Sequence, residues 1–262
     1  MNTKYVLALA LSATLVAPSS GIAAECNAKS AEHRVPLLEL YTSEGCNSCP
    51  PADRWLSALP KRGLSTQQVV ALGFHVDYWN YLGWRDPFSS PEYSDRQRSA
   101  SIRNRARFVY TPQLLFDGKD YRRGFFRDDI VDRVNATSRE RPGAKIELAQ
   151  NVEGADVILV RSLVTTTASS AGKETRAYVA LYENQLANRV AAGENGGKFL
   201  EHDFVVRELS PPHAATSGEE LDFRHRFTID RTWKRENLFI AAFVQNERSG
   251  STLQALAVPI CR

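Results

Sequence analysis

The chain has 262 residues, 43% of them hydrophobic and 24% charged, and a formal net charge of +3. That balance is ordinary for a folded globular protein and excludes a highly charged, disordered one. The mild positive charge is no footprint for nucleic acid, so no nucleic-acid partner is expected, and the length allows one large domain or two modest ones.

Residues 1–24 combine Lys4, an apolar run from Val6 to Val16 and small residues up to Ala23 and Ala24. This is the build of a secretory signal peptide. The run falls short of the ~20 residues that span a bilayer. The expectation is cleavage after Ala24 or one residue earlier, a periplasmic or secreted location, and no stable membrane anchor afterwards. Export to an oxidising compartment permits disulfides. Of the four cysteines, Cys46 and Cys49 form a CxxC, while Cys26 and Cys261 lie near the two ends of the exported chain. The expected pairs are Cys46–Cys49 and, as a structural disulfide, Cys26–Cys261.

"VPLLELY", 35 to 41, reads as a buried strand. Pro50 and Pro51 after the CxxC suit only the first turn of a helix, where missing N–H groups cost nothing. Trp55, Leu56 and Leu59 continue it at helical spacing up to Pro60. "QVVALGFHVD", 68 to 77, is a second apolar strand, which completes a βαβ opening. Residues 78–108 are an insertion: aromatic turns first, then an arginine-rich helix over "EYSDRQRSASIRNRARF". A hairpin follows Thr111–Pro112 and turns at Asp117–Gly118. "FFRDDIVDRVNATSRE" predicts a last helix with Ile130, Val131 and Val134 inward. Beyond Pro142–Gly143, about seven strand-like stretches follow with no intervening helix, which suggests a β-sandwich. The expected organisation is an α/β thioredoxin-like domain with a helical insertion over 25–142, then an all-β sandwich-like domain over 143–262.

A CxxC that opens a helix after a strand is the arrangement of thioredoxin-like oxidoreductases. The helix start offers free N–H groups and partial positive charge, both of which favour the reactive thiolate. Cys46 is expected to be the exposed attacker and Cys49 the resolving thiol. Thr111–Pro112 falls where such proteins hold a cis-proline that docks an extended substrate. His75 and Asp77, at the end of the second strand, are candidates for a proton relay. The alternatives are copper or zinc held at Cys46 and Cys49, with His75 or Asp77 as a further ligand, or a structural disulfide in a non-catalytic interaction protein.

The stretches "LLELYTSEGCNSCPPAD", "FHVDYWNYLGWRDPF", "YTPQ" and "AGENGGKFLEHDFVVREL" together resemble the domain-of-unknown-function 1223 family of secreted bacterial thioredoxin-like proteins. The resemblance implies a thioredoxin-like domain with an all-β extension. By motif position it casts Cys46, Cys49 and Pro112 as redox cysteines and cis-proline. The function expected is an exported thiol-disulfide oxidoreductase that acts on protein thiols or disulfides, with a redox partner protein and no organic cofactor.

Overall fold

The computed structural model describes Met1 and residues 25–122, 128–154, 156–167 and 174–261. Apart from Met1, the expected signal segment lies outside the described residues. Among those described, no helix is long and apolar enough to cross a membrane.

Strands β2 (Leu37–Thr42) and β3 (Val70–His75) are buried at every position, which is why they read as continuous apolar runs rather than alternating ones. They pair in parallel, from Leu37 opposite Val70 to Thr42 opposite His75. The crossover between them carries helix α1 (Pro50–Ser57), which places both prolines in its first turn. Helix α2 (Pro91–Arg103) starts at Ser90, whose hydroxyl accepts a hydrogen bond from the Glu92 amide at 3.3 Å. It ends before Phe108 because Arg105 takes a φ of 53°, outside helical space. Strands β4 (Gln113–Phe116) and β5 (Lys119–Asp120) form the expected hairpin. Asp117 and Gly118 have φ of 50° and 71°, as a two-residue type I′ turn requires. Helix α3 spans Ile130–Thr137 and buries Ile130 and Val134.

The later strands are β6 (Ala144–Glu153), β7 (Val157–Thr166), β8 (Thr175–Glu183), β9 (Leu186–Arg189), β10 (Phe199–His202), β11 (Val205–Leu209), β12 (His213–Ala214), β13 (Glu220–Thr228), β14 (Leu238–Asn246) and β15 (Thr252–Pro259). At the other end, β1 (Glu25–Lys29) pairs antiparallel with β6. One nine-stranded sheet runs β15-β14-β8-β11-β3-β2-β4-β5, with β12 added on β8; a four-stranded sheet runs β1-β6-β7-β13; β9 and β10 form a separate hairpin.

This architecture corrects the expected fold class. The described chain is mostly β, with fifteen strands against three α-helices. It is not an α/β thioredoxin-like domain followed by an all-β sandwich. In a β3-β2-β4-β5 unit standing alone, β3 would be a bare, apolar edge, which is a liability. Here β11 covers that edge in parallel, with Val205 opposite Gly73 and the Gly73 amide donating to the Phe204 carbonyl at 2.7 Å. The sheet then continues through β8, β14 and β15.

Two cores result, and β8 and β14 serve both. Tyr178, Ala180, Tyr182, Ala241 and Phe243 face the core built on β2, β3 and the helices. Val179, Leu181, Ile240, Ala242 and Val244 face Ile146, Leu148, Ile158, Val160 and Val164 of the smaller sheet. The period-two alternation of a strand lets one pair of strands supply both faces. Cys26 and Cys261 are joined across a sequence separation of 235 residues, as expected.

Candidate site at the Cys46–Cys49 disulfide

The loop from β2 to α1 carries the CxxC. Cys46 and Cys49 are joined in a disulfide. The Cys49 amide donates to the Cys46 carbonyl at 3.2 Å, and the Ala52 and Asp53 amides donate to the Cys49 carbonyl at 2.8 and 3.2 Å. Pro50 and Pro51 have no N–H, so the helix start offers fewer free donors than the bare motif implies. Ser48 places its hydroxyl 3.3 Å from the Cys46 sulfur and 3.5 Å from the Thr111 carbonyl oxygen. The Thr111–Pro112 peptide is cis, and the CxxC and this X-Pro pair meet in space.

One expectation is corrected by burial. Cys46 is not an exposed attacker: both cysteines are 0% exposed, although Asn47 and Ser48 between them face solvent. Segments far along the chain tie the loop down. Asn195, itself buried, donates from its Nδ2 to the carbonyls of Glu44 and Cys46 at 2.8 and 2.9 Å. The Asn47 amide donates to the Glu194 carboxylate at 3.0 Å. Two indoles of the aromatic insertion brace the same region: Trp79 Nε1 donates to Thr111 Oγ1 at 2.8 Å and Trp84 Nε1 to Glu44 Oε2 at 2.9 Å. Gly45 permits the approach of Trp79, since a Cβ there would stand 3.0 Å from the Trp79 Cβ.

Beside the disulfide lies a buried cluster of Glu44, Asp53, His75, Asp86 and His202. His75 Nδ1 is 2.7 Å from Asp86 Oδ2, and the same carboxylate oxygen accepts from the Glu44 amide at 2.8 Å. Burial alone would lower the His75 pKa, but the Asp86 carboxylate outweighs it and the net direction is up. For Asp86, burial pushes the other way, and His75 holds its carboxyl below the usual range. The two opposed shifts both favour the imidazolium–carboxylate form of the pair. His202 Nε2 lies 3.2 Å from Glu44 Oε1, and its ring centroid is 4.9 Å from that of His75. Burial raises the Asp53 carboxyl above its ordinary value.

His75 is thus joined to Asp86, not to Asp77. The Asp77 carboxylate is engaged by the Ser94 hydroxyl of α2. Among the described residues, no group of three or more His, Cys, Asp or Glu is arranged to hold a metal ion. Glu44, Asp53, Asp86, Asn195 and His202 were missed by sequence reasoning. Asp53 carries a usable signal, since it stands four residues after Cys49 in "CPPAD". Asn195 and His202 carry none by spacing, because they reach the CxxC across about 150 residues of chain.

The family model described as protein of unknown function (DUF1223) matches residues 37–245. The sequence matches no curated protein. Among solved structures, protein AGR_C_4864 from Agrobacterium tumefaciens is similar at 26% identity and a TM-score of 0.62, over 87% of this chain and 96% of that one. HBP35 of Porphyromonas gingivalis is similar at 14% identity and a TM-score of 0.63, over 88% of this chain and 76% of that one, a likeness of fold alone.

Proposed function

We propose that this chain, which belongs to the DUF1223 family of proteins of unknown function, is an exported thiol-disulfide oxidoreductase that acts on protein cysteines through Cys46 and Cys49. The observation that carries the reading is a disulfide at the start of α1 that sits beside Thr111 and beside a buried set of carboxylates and imidazoles. A merely structural cross-link between residues three apart constrains little chain entropy and has no use for neighbouring proton-exchanging groups. Two disulfides within one chain favour an oxidising compartment.

In the reaction proposed, a substrate thiolate attacks the Cys46 sulfur. The Cys46–Cys49 bond breaks, a mixed disulfide forms, and Cys49 leaves as a thiolate that takes up a proton. A second substrate thiolate then attacks the mixed disulfide, releases the substrate disulfide and leaves the CxxC reduced. The reverse sequence reduces a substrate disulfide. Thr111 would receive the extended substrate strand beside Ser48. Either direction requires the segment at Glu194 and Asn195 to release Cys46 first.

Burial of both cysteines favours a second reading, a non-catalytic interaction protein in which the CxxC disulfide is permanent. Trapping separates the two. A Cys49→Ser variant incubated with an unfolded protein that carries a disulfide should accumulate a mixed disulfide if the oxidoreductase reading holds. The Cys46 thiolate attacks the substrate disulfide and displaces one substrate thiolate, and Cys49 is no longer present to resolve the adduct. No adduct, with Cys46 unlabelled by thiol reagents after strong reduction, would support the permanent disulfide instead.

A further inference from the structure

We propose that Asp53 and His202 form a proton relay that connects Cys49 to bulk water during disulfide exchange. The inference rests on the oxidoreductase reading above and gives the β9–β10 hairpin a part in it.

Three observations converge. The first is helix phase. Cys49 is the N-cap of α1 and already has helical dihedrals, φ −78° and ψ −38°. Asp53 is four residues on, so the two side chains share one face, one turn apart. The second is a facing pair of polar atoms that lack hydrogen bonds. Asp53 Oδ2 and His202 Nδ1 are 3.9 Å apart, too far for a direct hydrogen bond. Neither atom makes a hydrogen bond of normal geometry, although the Thr42 hydroxyl also acts on the Asp53 carboxyl, and the residues are only 5% and 3% exposed. Buried polar atoms are nearly always satisfied, so two facing exceptions call for a reason. The third is a route out. A surface recess of about 460 Å³ is lined by Arg54, Lys61, Gln185, Glu201, Asp203 and His202 itself. His202 thus stands between the buried carboxyl and solvent.

The chemistry follows from the ring's other nitrogen. Glu44 Oε1 lies 3.2 Å from Nε2, and that contact is a hydrogen bond when Nε2 is the donor. In a neutral ring that leaves Nδ1 as a lone pair aimed at Asp53. A protonated Asp53 is the matching donor, and burial favours that protonated form. When a substrate thiolate opens the disulfide, the carbon-bound sulfur of Cys49 leaves with the electron pair of the S–S bond. Asp53 gives it a proton and becomes a carboxylate. His202, protonated from the recess, returns a proton to Asp53 through Nδ1 when a side-chain rotation closes the 3.9 Å gap. In the closing direction Cys49 gives its proton to the Asp53 carboxylate, and His202 carries it out. Charged and titratable groups face the pair from four other places: Glu44 in the β2–α1 loop, His75 on β3, Asp86 before α2, and Arg54, Lys61, Glu201 and Asp203 around the recess.

The test uses dithiothreitol as the attacking thiol and the whole chain, with its Cys26–Cys261 disulfide intact. Opening of Cys46–Cys49 is followed from pH 5 to 9, and each rate is divided by the thiolate concentration. The expected wild-type rate per thiolate falls as pH rises through the Asp53 titration. Asp53→Asn should flatten that profile and slow opening at the acid end of the range roughly tenfold or more, since general-acid assistance is worth about 10²–10⁴-fold. His202→Ala should slow opening likewise, and added imidazole should restore it through the recess. Folded variants with the wild-type profile and no imidazole rescue would overturn the relay. Should Asp53→Asn fail to fold, the His202→Ala profile and its rescue decide alone. Opening by dithiothreitol needs no protein substrate. A failed relay is therefore distinguishable from a failed oxidoreductase reading, which would show as absence of the Cys46 adduct.

Discussion

His75 and Asp86 show how two buried charges are tolerated side by side. Their nitrogen and oxygen are 2.7 Å apart, and Asp86 gains backbone donors from Glu44 and Phe88. The pH dependence has a sign for each partner. His75 is shifted up, so its contribution to stability is complete below its unfolded value near 6.5 and is lost as pH rises through the higher folded value. Asp86 is shifted down, so its contribution is present above its unfolded value near 3.9 and is lost as pH falls through the lower folded value. The pair therefore stabilises fully between about pH 4 and 6.5. His75→Gln leaves Asp86 as an unpaired buried charge, which costs about 3 kcal/mol near pH 6. Urea unfolding across pH should show the gap between wild type and variant shrinking toward pH 9. A constant gap would mean that His75 is neutral throughout.

At the scale of elements, the most legible parts were those with local chemistry. Apolar runs marked β2 and β3, Pro50 and Pro51 marked the start of α1, and Asp117–Gly118 marked the β4–β5 turn. The long strands β6, β7 and β13 alternate buried and more exposed positions, β8 and β14 are near-continuous apolar runs, and both kinds were legible. The β9–β10 hairpin was not, because its four-residue strands, LANR and FLEH, carry no sustained period. Yet this hairpin and its loop supply Glu194, Asn195 and His202 to the site. Half of the site was therefore readable from CxxC spacing, and half depends on a long-range contact that no local pattern encodes. Asn195→Ala removes two hydrogen bonds to buried carbonyls. The expected cost is about 2 kcal/mol in unfolding free energy, together with faster alkylation of Cys46 once the pair is reduced. Unchanged alkylation would show that this loop does not govern access.

At the scale of the whole molecule, the sheet order explains why the expected two-part architecture fails. The readings before and after Pro142–Gly143 identified the longer strands but assigned them to separate sheets. What decides the assignment is the edge of β3, where β11 arrives from more than 130 residues away in sequence. Likewise β1 closes the smaller sheet against β6. The Cys26–Cys261 disulfide ties the edge strand β1 to the end of the chain across 235 residues. A loop of that size removes roughly 5 kcal/mol of chain entropy from the unfolded state. A Cys26→Ser/Cys261→Ser variant should unfold at lower urea, with loss of up to about 5 kcal/mol. No loss would show that β1 pairing alone holds the termini.

We read Cys46–Cys49 as a working redox couple rather than a permanent cross-link. The most direct test is the reduction potential of that pair, measured by equilibration with glutathione while Cys26–Cys261 stays closed. A value between about −120 and −270 mV, the span of known oxidoreductases, is expected of a working couple. A value below about −300 mV, that of structural disulfides, would contradict it.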